Sequence, residues 1–200
     1  MRLISALLST IRFSGPGWTK EPGLQSAFSS SFTLIPDFIS PDEEKQLFRE
    51  VEPVLKRLVF EKDHWDDAIL HFRETEKKHW RKGNASIIQR IHDAAFESSD
   101  SIRPLAHILD LASNGLIKPH VDSIKFCGST ISVLSLLSSS IARFRVESDR
   151  ETYVDVPLPA RSLYILKGAS RYDFTHEILG PEEDLNKGRR ISIVIRNEVK

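Results

Sequence analysis

Arg190-Ile191-Ser192-Ile193-Val194-Ile195-Arg196 reads as a β-strand with two unlike faces. Residues i and i+2 of a strand point the same way, so Ile191, Ile193 and Ile195 make one apolar face, suited to packing against a helix. Arg190, Ser192, Val194 and Arg196 make the other. Two guanidinium groups facing an interior need acidic partners, because a buried unpaired cation is costly. An internal Arg–Asp or Arg–Glu pair meets that need, and so does a bound carboxylate, whose geometry matches the guanidinium fork.

Working back from this strand, short apolar runs occur at 105–111, 116–122, 130–137, 142–146, 152–156, 162–166 and 172–178, punctuated by Asn114-Gly115, Lys167-Gly168 and Lys187-Gly188. About eight strands in this space predict a mainly β fold with flanking helices, a two-sheet jelly roll or double-stranded β-helix. The helices come first. Ser40-Pro41-Asp42-Glu43 has the form of a capping box with proline at the first helical position. Leu47, Phe48, Val51, Val54, Leu55 and Leu58 then recur at helical spacing, with Pro53 as an expected kink. A second helix is expected over residues 84–96, its stripe Ile87, Ile88, Ile91 and Ala95, so the helices cover the outer face of a sheet. Residues 57–82 hold seven basic and six acidic side chains and read as a structured loop or cover.

The chemistry centres on Ile117-Lys118-Pro119-His120-Val121-Asp122-Ser123. On a strand His120 and Asp122 converge on one point while Val121 packs behind. His176 follows 56 positions later, a separation that lets another strand deliver a third ligand. Two imidazoles and one carboxylate with an open hemisphere suit non-haem Fe(II) working with dioxygen. Taken alone, His-x-Asp is a weak signal. His64-Trp65-Asp66 is a second copy, in a polar stretch with no strand pattern to align its side chains, and reads as a surface feature.

Length and charge bound the rest. Two hundred residues make one ordinary domain, and 28 basic against 28 acidic residues give no electrostatic trap for nucleic acid. The one cysteine, Cys127, has no partner for an internal disulfide and reads as a buried thiol. No run approaches the roughly 18 apolar residues of a membrane span. Residues 1–30 carry Arg2, Arg12 and Lys20, no acid before Glu21, many serines and an apolar helical face of Leu3, Ile4, Leu7, Leu8 and Ile11. That is the pattern of a mitochondrial transit peptide or disordered arm, with the domain running from 31 to 200 and a cut expected between residues 20 and 33.

The run from Arg161 to Ile178, with its Arg171-Tyr172-Asp173-Phe174-Thr175-His176 core, the His120-Val121-Asp122 triplet and the Arg-x-Ser-x-x-x-Arg strand occur in the order found in AlkB-type 2-oxoglutarate- and Fe(II)-dependent dioxygenases, which the chain resembles. Lys118 to Gly128, Asp63-His64-Trp65-Asp66 and the basic arm resemble the family's mitochondrial branch, extending the similarity to residues 33–197. The resemblance implies His120, Asp122 and His176 as iron ligands. It implies Tyr164, Arg190, Ile191, Ser192 and Arg196 as 2-oxoglutarate contacts, with Arg190 meeting the distal carboxylate. Fe(II), 2-oxoglutarate and dioxygen follow as cofactor and co-substrates, and oxidation of a C–H bond as the reaction. It also implies that branch's link to necrosis after alkylation damage and to fatty-acid metabolism.

One departure matters. Repair members of the family follow His-x-Asp with a polar residue and an acid that touches the methylated base, whereas Ser123 and Ile124 stand here. Ile124 cannot accept a hydrogen bond from a base edge, and the charge-balanced 57–82 segment makes a poor lid for base flipping. The expected substrate is therefore a protein side chain or other non-DNA molecule of the mitochondrial matrix, met without membrane insertion. The alternatives are demethylation of mitochondrial RNA, such as tRNA, and an interaction module with little turnover.

Overall fold

Ile191, Ile193 and Ile195 are no more than 1% exposed, buried beneath two helices as their alternation requires. The computed structural model describes residues 11–64 and 67–199. In chain order its elements are β1 (Arg12–Ser14), α1 (Gly17–Lys20), α2 (Leu24–Ser31), β2 (Phe32–Ile35), α3 (Pro41–Leu55), β3 (Glu61–Asp63), β4 (Ile69–Lys77) and α4 (Lys82–Ala95). There follow β5 (Ala106–His120), β6 (Ile131–Leu136), β7 (Ser140–Val146), β8 (Asp149–Leu158), β9 (Leu163–Leu166), α5 (Gly168–Tyr172), β10 (Phe174–Ile178) and β11 (Arg190–Arg196).

The strands form one curled antiparallel sheet in the order β1-β8-β7-β10-β5-β11-β6-β9-β2, with β4 also on β5 and β3 on β4. β5 belongs to both walls of the curl. Its first half pairs with β11, Leu111 opposite Arg190, and its last residues pair with β10, His120 opposite His176. This is the expected jelly roll. The bend lies near Gly115, where a Cβ would come within 2.7 Å of the His71 carbonyl oxygen, and His71 itself sits at φ 53° in a register shift of β4.

Two cores result, one on each side of the first wall. Outside, Leu47, Val51 and Leu55 of α3 and Ile87 and Ile91 of α4 pack on Ile108, Leu134 and the three isoleucines of β11. α3 starts as read: the Ser40 Oγ accepts from the Glu43 N–H at 3.2 Å, and the Ser40 N–H donates to Glu43 Oε2 at 2.9 Å. Pro53 lies in the last turn of α3, so little helix remains beyond it to be kinked. No helix among the described residues is long and apolar enough to cross a membrane.

The cover expected over residues 57–82 is instead two strands, one of them nine residues long. Charge on β4 hid its pattern, because its outward cations are neutralised by distant acids. Arg73 Nε donates to Asp110 Oδ2 at 2.7 Å, Asp110 also accepts from Arg189, and Lys77 Nζ lies 3.2 Å from Glu50 on α3. Trp65 and Asp66 lie outside the described residues. The two runs at 105–111 and 116–122 are one strand, and the run at 172–178 begins in α5. From residue 105 onward seven strands stand where about eight were expected, and four more precede them among the described residues.

Residues 11–31 pack against the rest of the domain. β1 pairs with β8, and Phe28 of α2 is 1% exposed inside the curl, its ring centroid 5.1 to 5.3 Å from those of Phe32, Phe144 and Phe174. Serines on the opposite side of α2 gave this segment the composition of an arm, while Phe28, with Phe13 and Trp18 packed beside it, anchors it. Leu3, Ile4, Leu7 and Leu8 lie outside the described residues. Phe28→Ala is expected to lower unfolding stability by about 3–5 kcal/mol in a urea titration, the range for emptying a buried phenylalanine site. A loss under ~1 kcal/mol would show the segment to be dispensable.

Candidate metal centre

His120 closes β5, His176 is central in β10, and the direct pairing of the two strands places their rings 4.3 Å apart between centroids. Asp122 lies two residues beyond the end of β5, in the turn that follows, rather than on the strand itself. It keeps the direction that alternation would have given it. Its Oδ1 is 3.5 Å from His120 Nε2 and 3.9 Å from His176 Nε2, both too long for hydrogen bonds. Ligand atoms about 2 Å from one ion are about 3 Å apart at neighbouring positions. One ion drawing these three atoms slightly inward fits the cluster, the one such group among the described residues.

The surroundings prepare each ligand. His120 Nδ1 is 2.9 Å from the Lys118 carbonyl oxygen, which fixes the proton there and leaves Nε2 its lone pair. Burial works against charge on His120, but the Asp122 carboxylate and that carbonyl outweigh it and raise the pKa. His176 goes the other way: burial, then the charge of His120, push it down to about 3, so its imidazole is neutral and ready to ligate. Burial raises the Asp122 pKa, yet the neighbouring His120 ring and the Arg196 charge hold it well below the ordinary carboxylate range. Arg196 Nε donates to Asp122 Oδ2 at 2.7 Å, engaging one oxygen and leaving Oδ1 toward the histidines.

The two arginines of β11 thus divide the possibilities that the strand left open. Arg196 has an internal acid. Among the described residues Arg190 has none: it is 1% exposed, its Nη2 donates to Ser135 Oγ at 2.8 Å, its Nε has no partner, and the neutral Tyr164 hydroxyl is its other neighbour. Burial raises the Tyr164 pKa, keeping the phenol protonated. A narrow cavity of about 80 Å³ joins this pair to the histidines, walled by Ile131, Val133, Leu166, Ser192 and Val194. An anionic group at one end and methylenes along the wall match this lining. The Ile191 side chain is on the opposite face of β11, beneath the helices, so only its backbone is on the cavity side of the strand.

Arg171 is fully buried. Its Nε and Nη2 point at the carbonyl oxygens of Gly128 and Cys127, each at 3.4 Å, and its guanidinium lies 4.9 Å from the Tyr172 ring centroid. It therefore braces the loop leaving Asp122. Its position five residues before His176 was visible; that α5 turns it inward was not. Cys127 is buried, as expected.

A curled β-fold with a His-x-Asp and a distant histidine at its open end defines the class of 2-oxoglutarate oxygenases, and solved structures share the fold. OsALKBH1 superposes with TM-score 0.61 at 13% identity, covering 83% of this chain and 97% of that one. A Pseudomonas putida prolyl-4-hydroxylase gives 0.59 at 11%, covering 88% and 99%. A Trichoplax adhaerens prolyl hydroxylase, solved with a hypoxia inducible factor peptide, gives 0.57 at 12%, covering 92% and 94%. No protein-family model matches the chain. Its sequence is 45% identical over 192 residues to the mitochondrial alpha-ketoglutarate-dependent dioxygenase alkB homolog 7 of Bos taurus, covering 92% of this chain and 87% of the relative, and 44% identical to that of Mus musculus with the same coverage. The chain belongs to the alkB homolog 7 family of alpha-ketoglutarate (2-oxoglutarate)-dependent dioxygenases.

Proposed function

We propose that the protein oxidises a protein side chain, or another non-DNA substrate, in the mitochondrial matrix. The supporting observation is the joining of two features in one narrow cavity: three convergent ligand atoms, and a buried Arg190 without an acidic partner among the described residues. His120, Asp122 and His176 hold iron. Arg190 and the Tyr164 hydroxyl take the distal carboxylate of 2-oxoglutarate, with Ser192 and the backbone of Ile191 alongside. Arg196 keeps Asp122 ionised and oriented, and the apolar walls exclude water from the ligands. Bound Fe(II) supplies the chemistry that couples 2-oxoglutarate and dioxygen to oxidation of a C–H bond, yielding succinate, carbon dioxide and a hydroxylated product.

Ile124, 66% exposed beside the site, favours a non-nucleic substrate because it offers a base edge no hydrogen bond. Roles in necrosis after alkylation damage and in fatty-acid metabolism are carried over as part of this reading. The test incubates the full chain with Fe(II), 2-oxoglutarate and oxygen on mitochondrial protein and RNA pools, with Asp122→Ala as the blank. A peptide that gains one oxygen atom only with the wild-type chain supports the reading. Loss of methyl groups from RNA with no oxidised peptide replaces it by an RNA demethylase, and absence of succinate by a regulatory interaction module.

A further inference from the structure

The two walls of the barrel meet at the bend of β5 near Gly115. Before the bend Leu111 lies opposite Arg190, and after it Ile117 lies opposite Ile178. Ile117, Ile178 and Arg190 all line the narrow cavity, so its inner end is at this corner. The segment that joins β10 to β11 crosses the same corner and carries Lys187, which the sequence presents only as half of a Lys-Gly turn. That side chain is 9% exposed. Its Nζ donates to the Leu179 carbonyl at 2.6 Å, one residue past Ile178, and it forms no ion pair among the described residues. Asp184, in the same segment, acts on it from beyond ion-pair distance, its Oδ2 accepting the Ile141 N–H at 3.1 Å. The other charge that acts on Lys187 is Arg190 itself. Two buried cations thus share one corner, and Arg190 Nε has no partner there either. Each charge without a counter-ion opposes folding, and their repulsion adds to that cost. A carboxylate bound at the inner end of the cavity relieves both.

We propose that Lys187 is a second positioning cation for the distal carboxylate of 2-oxoglutarate, supplementing Arg190 from the segment that closes the corner. Arg190 and the Tyr164 hydroxyl contact the carboxylate, whereas Lys187 acts through its field, which reaches further in a dry interior than in water. The pair selects a dicarboxylate, since a 2-oxo acid ending in a methyl group gains nothing from either cation. It also makes co-substrate affinity sensitive to alkali. Burial and the Arg190 charge push Lys187 down to about 8, with Asp184 working the other way. The ammonium form is present below that value and lost above it, so the Lys187 contribution is full near pH 7 and fades as the pH rises through about 8. Burial moves the Tyr164 phenol up, away from that window. The proposal rests on the reading that gives this carboxylate to Arg190 and adds the residue that tunes its affinity.

The test is calorimetric titration of the full chain, loaded with redox-quiet Mn(II), with two acids. These are 2-oxoglutarate and 2-oxopentanoate, which has a methyl group in place of the distal carboxylate. Lys187→Met is expected to weaken 2-oxoglutarate roughly three- to tenfold near pH 7, the size of one charge acting through a partly screened interior, and to leave 2-oxopentanoate unchanged. Lys187→Arg keeps the charge, so it should hold 2-oxoglutarate affinity from about pH 7 to about pH 9, while the wild type falls to the level of Lys187→Met. A lysine that only braces the Leu179 carbonyl would weaken both acids alike in Lys187→Met, and that result overturns the proposal. So does a wild-type preference for 2-oxoglutarate that stays constant across the same pH range. Thermal melting without ligand checks that each variant is folded; should Lys187→Met fail to fold, the wild-type and Lys187→Arg pH profiles decide alone. Failure here is separable from failure of the parent reading. Wild-type binding that does not distinguish the two acids near pH 7 sinks the placement of the distal carboxylate at Arg190, and Lys187 with it, whereas a preference undiminished in Lys187→Met sinks the role of Lys187 alone.

Discussion

Asp122→Ala is expected to cut 2-oxoglutarate turnover by more than about 100-fold, since losing a ligand exceeds the 10- to 100-fold cost of losing a group behind one. Asp122 is the point at which both histidines and Arg196 meet, Oδ1 toward the imidazoles and Oδ2 held at 2.7 Å by the guanidinium. Removing it takes away the carboxylate of the His120, Asp122 and His176 cluster and leaves Arg196 without its acid. Unfolding stability of the metal-free chain should therefore fall as well, by about 1–3 kcal/mol, the cost of an abandoned buried hydrogen-bonding group. Calorimetric titration with Mn(II) separates the effects: binding vanishes in Asp122→Ala, whereas Arg196→Lys retains it with reduced affinity. Chelation of metal from the wild-type chain should reproduce the turnover loss without the stability loss specific to the variant. Turnover surviving Asp122→Ala would place the reactive centre elsewhere.

Arg190→Met is expected to have the opposite signature, a loss of co-substrate affinity with no loss of fold. The guanidinium is fully buried, its Nε has no partner, and Ser135 and Tyr164 are neutral. Carrying that charge in an apolar barrel opposes folding. A thioether of similar length should leave the metal-free protein as stable or stabilise it by about 1–4 kcal/mol, as in other replacements of buried charge. The same change removes the cation that the proposed function gives to the distal carboxylate. Affinity for 2-oxoglutarate should fall by at least about 30-fold, or ~2 kcal/mol, the lower end for truncating a buried charge partner. Thermal shift on adding 2-oxoglutarate with Mn(II) reads this without turnover: a rise in Tm for the wild type and none for the variant. An equal rise in both would remove Arg190 from the site.

Much of the site was readable because strand alternation is a local rule. The seven residues 190–196 sort into a helix-facing and an interior set from their order alone, and Ile191 belongs to the first, which is why its side chain misses the cavity. His-x-Asp is local in the same way, though it survives at Asp122 as a direction rather than as a strand. β4 was not readable. Its alternation is Phe72, Glu74 and Glu76 against Arg73, Thr75 and Lys77, and the cations of the second set are answered by Asp110 and Glu50, 37 and 27 residues away.

What the sequence determined by itself was the kind of fold and the requirement that two inward arginines be answered. These follow from covalent order, the two-residue period and the cost of burying charge, none of which needs coordinates. Only the tertiary structure decided that Arg196 is answered internally and Arg190 is not, that Arg171 is buried behind the loop from Asp122, and that α2 seats Phe28 in the barrel. The physical reason is common to all three. Pairing, burial and packing depend on which groups the curl of the sheet brings within a few ångströms, and those groups are far apart along the chain.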